Sequence, residues 1–144
     1  MQNEFMNLDE LAAEYDEAIN AEDKNAAYHK INEIIRFVAS NFPRDNPEAL
    51  AWFTATLQDK RKKWFVAKVM SKVNPLPKSL LKDLVLASML EPNPSSNKFL
   101  ILPCVKTYGK EMVKEAMLEY STHPQVIEND GFNKVAYWVG LRNA

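Results

Sequence analysis

LLKDLVL at residues 80–86 and MVKEAML at 112–118 share one register, two apolar residues, a lysine, an acid and three more apolar residues, at an offset of 32. Apolar residues at such intervals gather on one face of a helix. A second pattern is interleaved with the first. Lys63-Trp64-Phe65-Val66 is followed 35 residues later by Lys98-Phe99-Leu100-Ile101, and 36 residues after that by Lys134-Val135-Ala136-Tyr137. Two helices thus recur per unit, separated by NPLP (74–77), EPNPSSN (91–97) and the single Gly109. A period in the thirties with two helices predicts stacked helical hairpins, none of which buries its apolar face alone. The competing arrangement, an irregular helical bundle, has the same secondary structure and differs only in how neighbours stack.

Upstream of residue 60 the pattern stays helical. Leu8, Leu11, Ala12, Tyr15, Ala18 and Ile19 predict a first helix over 8–22, with Asp9 and Glu10 at the positive end of its dipole. Tyr28, Ile31, Ile34, Ile35, Val38 and Phe42 predict a second over 25–41, which stops where Pro43 disfavours a helical residue before it. Asn46-Pro47 reads as an N-cap with proline at the first helical position, opening a third helix that carries Leu50, Phe53 and Leu57 with Trp52 beside them. With 3 glycines in 144 residues and no strict apolar alternation, hairpin-rich sheet is excluded. The expected fold is all-α, a single domain of about eight helices with residues 1–59 as an N-terminal part. A lone cysteine, Cys104, sits among Leu100, Ile101, Leu102 and Val105 and is expected to be buried and unpaired. Pro103, beside it, is expected to bend its helix.

The segments 60–91 and 96–122, with a third beginning near Phe132, resemble HEAT-type helical repeats. Pro103 lies inside the first helix of one unit, where that family often has a proline; Lys68 and Val139 stand at the corresponding places of the flanking units. The resemblance covers residues 60–141 and implies a superhelical binding scaffold rather than an activity.

A net charge of −1 conceals a division. Residues 1–59 carry 4 Lys/Arg against 12 Asp/Glu, whereas 60–144 carry 14 against 7. Such asymmetry concerns surface field and partners. The stretch DKRKKWFVAKVMSK (59–72) concentrates it. On a helical wheel Phe65, Val66, Val69, Met70 and Val73 form an apolar stripe, while Arg61, Trp64, Lys68 and Lys72 share one flank. This basic strip, with Trp64 expected under Arg61 or Lys68 by cation–π contact, suits an anionic partner surface. Lys78, Lys82, Lys106 and Lys110 extend the positive field. The bland alternative is a solvated flank with Trp64 in the core.

A protein with an acidic surface is the expected partner. Nucleic acid is the lesser option, because phosphate affinity grows with the charges neutralised, and here the pI is 6.1 and the first helix is acidic. That acidic helix could itself lie near the basic ridge and mask it. The closing stretch FNKVAYWVGL (132–141) is apolar on nearly all sides, so it is either inserted on more than one side or leaves Tyr137, Trp138 or Leu141 exposed for self-association.

Catalytic and metal chemistry find no signature. His29 with Glu33, and Glu119 with His123, are i, i+4 pairs of the kind found on helix surfaces, with His123 expected at a helix C-terminus. Zinc needs three or four ligands, and no HExxH, cysteine pair or third histidine exists. Glu10, Glu14, Asp16, Glu17, Glu22 and Asp23 read as one solvated helix face. The protein is therefore expected to be non-enzymatic, without cofactor or metal. With no basic leader at MQNEFMNLDE and no run near the ~20 apolar residues that cross a bilayer, it is expected to be cytoplasmic and not membrane-bound.

Overall fold

The computed structural model describes residues 7–141. Among them are eight α-helices, one short 3-10 turn at Lys78–Leu80 and no strand. The chain forms two compact units, Met1–Val73 and Asn74–Ala144, and passes from one to the other at NPLP.

The first unit holds α1 (Leu8–Ile19), α2 (Lys24–Ser40), α3 (Pro47–Thr56) and α4 (Lys63–Met70). Three of these begin at a side-chain cap. Asn7 accepts from the Glu10 N–H, Asp23 from those of Asn25 and Ala26, and Asn46 from those of Glu48 and Ala49, with Pro47 following as the sequence predicts. Each cap satisfies helix-end donors that would otherwise lack a partner. α1 packs on α2, and α4 packs on α1, α2 and α3. The core is aromatic where α1, α3 and α4 meet: the Phe65 ring lies 5.4 Å from Tyr15 and 6.1 Å from Trp52, and Phe53 lies 5.1 Å from Trp52 and 5.2 Å from Phe42. Burial holds the Tyr15 hydroxyl above its ordinary pKa. Two residues of the predicted stripes fall outside the core. Ile19 ends its helix half in solvent, and Tyr28 is 67% exposed, because the buried face of α2 runs through Ala27, Ile34, Ile35 and Val38 and leaves Tyr28 at its rim.

The second unit holds α5 (Leu81–Leu90), α6 (Lys98–Glu119), α7 (Pro124–Asn129) and α8 (Gly131–Val139). α5 is its hub, packed on α6, α7 and α8. Leu80, Leu84, Met89, Leu100, Ile101 and Met117 are fully buried, each contributing about 1.5–3 kcal/mol by leaving water. α6 is two helices joined at Gly109, whose φ of 86° and ψ of 164° interrupt the helix where the sequence placed the break. Pro103 sits buried within the helical first half, and the non-helical dihedrals inside the element fall at Gly109.

The end of α5 is tied down through its carbonyls. Asn97 Nδ2 donates to the Ser88 and Glu91 carbonyls at 2.6 and 3.0 Å, and Asn129 Nδ2 donates to those of Met89 and Glu91 at 2.8 and 3.0 Å. Lys134 Nζ donates to the Pro92 carbonyl and to Asn129 Oδ1, and Trp138 Nε1 to the Pro94 carbonyl. These bonds satisfy acceptors that a helix end leaves free. Gly131 completes the junction: a Cβ there would stand 2.0 Å from the Met89 carbonyl oxygen, so α8 can start against α5 only with glycine at that position.

Cys104 is buried and free, with Sγ 3.7 Å from the Leu100 carbonyl, and desolvation pushes its thiol up to about 12.

Candidate functional site

The basic stretch divides once it folds. Asp59 Oδ1 accepts the N–H groups of Arg61 and Lys62, both at 2.9 Å, and this turn, rather than a helix, positions Arg61. Those two bonds hold the Asp59 carboxyl below its ordinary range. α4 begins only at Lys63, so Arg61 does not share a helical flank with Lys68 and Lys72 as the wheel supposed. Its Nη2 instead reaches α1 and meets Asp16 Oδ1 and Oδ2 at 2.7 and 2.8 Å. The acidic helix therefore engages one residue of the strip. Both partners are largely exposed, at 66% and 43%, and such a pair adds only about 0.2–1 kcal/mol.

Trp64 is half-buried, and the cation over its ring is Lys63, 5.0 Å from the centroid, not Arg61 or Lys68. The cause is the short helix: with Arg61 turned to Asp16, the adjacent lysine stem covers the indole. Lys68 and Lys72 are exposed, and neither has a carboxylate at ion-pair distance among the described residues.

Lys72 borders a recess of about 330 Å³ together with Asn32, Ile35, Arg36, Ala39 and Ser40 of α2. Arg36 is also exposed and without an ionic partner among the described residues. Two cations and two neutral hydrogen-bonding groups thus surround a floor made by Ile35 and Ala39. Sequence reasoning passed over Arg36, which stands far from the basic run. Its signal was the polar line Asn32, Arg36, Ser40 at i, i+4 and i+8 opposite the apolar stripe.

Lys78, Lys82, Lys106 and Lys110 belong to the second unit and are exposed. Lys82 is engaged, with Nζ 3.0 Å from Glu119 Oε1, a bond that raises its pKa. The Lys110 ammonium lies beside the end of α8, 3.8 Å from where a Cβ on Gly140 would stand, and a cation there suits the negative end of the helix dipole. At the far end of the chain Tyr137 is 69% exposed, Trp138 and Leu141 are half-buried, and Lys98 Nζ stands over both Trp138 and Phe99, at 5.0 and 5.3 Å.

His123 was expected at a helix C-terminus and is instead an N-cap. Its Nδ1 accepts from the Gln125 N–H and opens the six-residue α7, a helix too short to show periodicity. His29 is exposed with its ring against Tyr28. Among the described residues no three His, Cys, Asp or Glu side chains are grouped to hold a metal ion, and no helix is long and apolar enough to cross a membrane. Comparison with protein-family models, with curated proteins and with solved structures found no match to this chain.

Proposed function

We propose that the protein is a non-enzymatic, cytoplasmic protein–protein interaction module, a HEAT-like scaffold of stacked helical hairpins that offers a basic face to an acidic partner. The observation that carries this reading is that Lys68, Lys72 and Arg36 are exposed cations with no carboxylate at ion-pair distance among the described residues. Cations left without internal partners keep their full attraction for an incoming acidic surface, which speeds encounter and orients it. Helix pairs that pack back on each other across short connections, α1 on α2 and α5 on α6, are the building block such a scaffold requires. A polyphosphate partner is the weaker match, because affinity for phosphates grows with the number of charges neutralised and the first unit carries 10 Lys/Arg against 12 Asp/Glu.

The test is capture of a partner by the intact chain, with and without nuclease, compared with a variant carrying Arg61→Glu, Lys68→Glu and Lys72→Glu. Binding that survives nuclease and falls at least about tenfold in the variant is expected, with stability changed by about 0.5 kcal/mol per site or less. Retained affinity in the variant would make the strip a solvated face; loss on nuclease treatment would transfer the site to nucleic acid.

A further inference from the structure

The recess between α2 and the end of α4 has a composition that a merely solvated flank would not need. Arg36 and Lys72 bring two positive charges to one concavity, Asn32 and Ser40 bring neutral hydrogen-bonding groups, and Ile35 and Ala39 give it an apolar floor. Ile35 is only 3% exposed, so that floor belongs to the core and does not shift with the surface side chains. Arg36 presents a planar fork of donors and Lys72 a compact point charge, a pairing that suits an oxyanion approached from two sides. The six residues all belong to the first unit.

We infer that this recess is a carboxylate pocket, in which a glutamate side chain of the partner protein inserts, its methylenes over Ile35 and Ala39 and its carboxylate between Arg36 and Lys72. This deepens the acidic-partner reading and rests on it. The apolar floor selects carboxylate over phosphate. A glutamate brings methylene groups that can rest on the part-exposed Ala39 methyl, whereas a phosphate brings charged oxygens to it. Arg36 is the residue that separates this pocket from the general basic field. It lies on α2, whereas Lys68 is on α4 and Lys72 in the turn after it, and it stands on the opposite side of α2 from the buried stripe.

The experiment measures anisotropy of a short labelled oligo-glutamate peptide with the intact chain, Arg36→Gln, Arg36→Lys and Lys106→Gln, the last being the same change in net charge in the second unit. Expected is a loss of about tenfold for Arg36→Gln and a smaller loss for Arg36→Lys, which keeps the charge without the fork, with less than about twofold for Lys106→Gln. Unchanged melting of Arg36→Gln excludes a folding defect. Equal losses in Arg36→Gln and Lys106→Gln would overturn the pocket and leave a diffuse basic face standing. A phosphoserine peptide that binds more tightly than oligo-glutamate in an Arg36-dependent manner would overturn the carboxylate assignment. Absence of oligo-glutamate binding even at low salt would remove both the pocket and the acidic-partner reading.

Discussion

In the first unit side chains bond one another across long stretches of sequence: Trp52 Nε1 to Asp9 at 2.8 Å, Arg61 to Asp16 at 2.7 Å, and Lys30 to Glu14 at 3.6 Å. In the second, beside Lys82 with Glu119, Tyr108, Asn129, Lys134 and Trp138 each bond a carbonyl far away in sequence, and Asn97 bonds the nearer carbonyls of Ser88 and Glu91. The difference has a physical consequence. A surface pair has water as a ready substitute for either partner, and so do the exposed Pro92 and Pro94 carbonyls, whereas the buried carbonyls held by Asn97 have none. All three glycines also lie in the second unit, and there α8 starts against the backbone of α5. The first unit is therefore expected to tolerate loss of its polar cross-links, and the second to fail when its own are removed.

The largest effect is expected at Gly131. In Gly131→Ala the new Cβ meets the Met89 carbonyl oxygen, a main-chain atom that no rotamer change can move. Destabilisation of about 3 kcal/mol or more should follow, measured by denaturant titration. A loss below about 1 kcal/mol would show that α8 can slide off α5 freely, and the contrast between the units would weaken. Next is Asn97→Ala, which strips donors from the Ser88 and Glu91 carbonyls inside the core. About 2 kcal/mol is expected, tempered because Asn97 Oδ1 is itself buried without a partner and its removal relieves that cost. The matching change in the first unit, Asp9→Ala, removes the acceptor of an exposed bond and should cost less than about 1 kcal/mol.

Cys104 gives the second unit a pH dependence. Its thiol is pushed from 9.0 up to about 12 by burial, so above pH 9 the unfolded chain loses this proton while the folded one keeps it. The unfolded state then binds fewer protons, and stability falls as pH rises, by about 1.4 kcal/mol per pH unit until the folded thiol also ionises. The contribution is fully present below pH 9. The stability difference between the natural chain and Cys104→Ala, followed across that window, should narrow as pH rises; a constant difference would mean that the thiol titrates in the native state as it does in the unfolded one.

What the sequence made legible follows the same division between local and long-range causes. Helix starts at Asn46-Pro47 and the break at Gly109 come from single residues whose backbone preferences act locally, and both stand where the sequence put them. The short α7 was missed because six residues make no repeat, and the His123 cap that opens it was taken for the end of the preceding helix. In the site, Lys68 and Lys72 were visible as part of a basic run. Arg36 was not, because a recess is made by chain segments brought together in space. The helical wheel also overreached at Arg61, since it assumed a helix where the Asp59 turn holds the chain. Most telling is the charge division: −8 against +7 along the sequence becomes −2 against +1 between the two units, because the six bases of residues 60–73 fold into the same unit as the acidic α1. The asymmetry is thereby turned inward.

The smallest expected change in stability is the one with the clearest meaning for binding. Asp16→Asn breaks the pair with Arg61, yet both groups are exposed, so the fold should lose less than about 0.5 kcal/mol. Binding should move the other way. The substitution removes a carboxylate from the first unit and frees the Arg61 guanidinium, and each change raises the positive potential met by an acidic segment. Affinity for oligo-glutamate is expected to rise about twofold at low salt, with the gain vanishing at high ionic strength as screening shortens the reach of the field. Because Arg61 is held by the Asp59 turn and not by Asp16 alone, it stays near its place when released. An Asp16→Asn variant that bound no better would mean that Arg61 faces away from the acid-binding surface, which would then consist of Lys68, Lys72 and Arg36 alone.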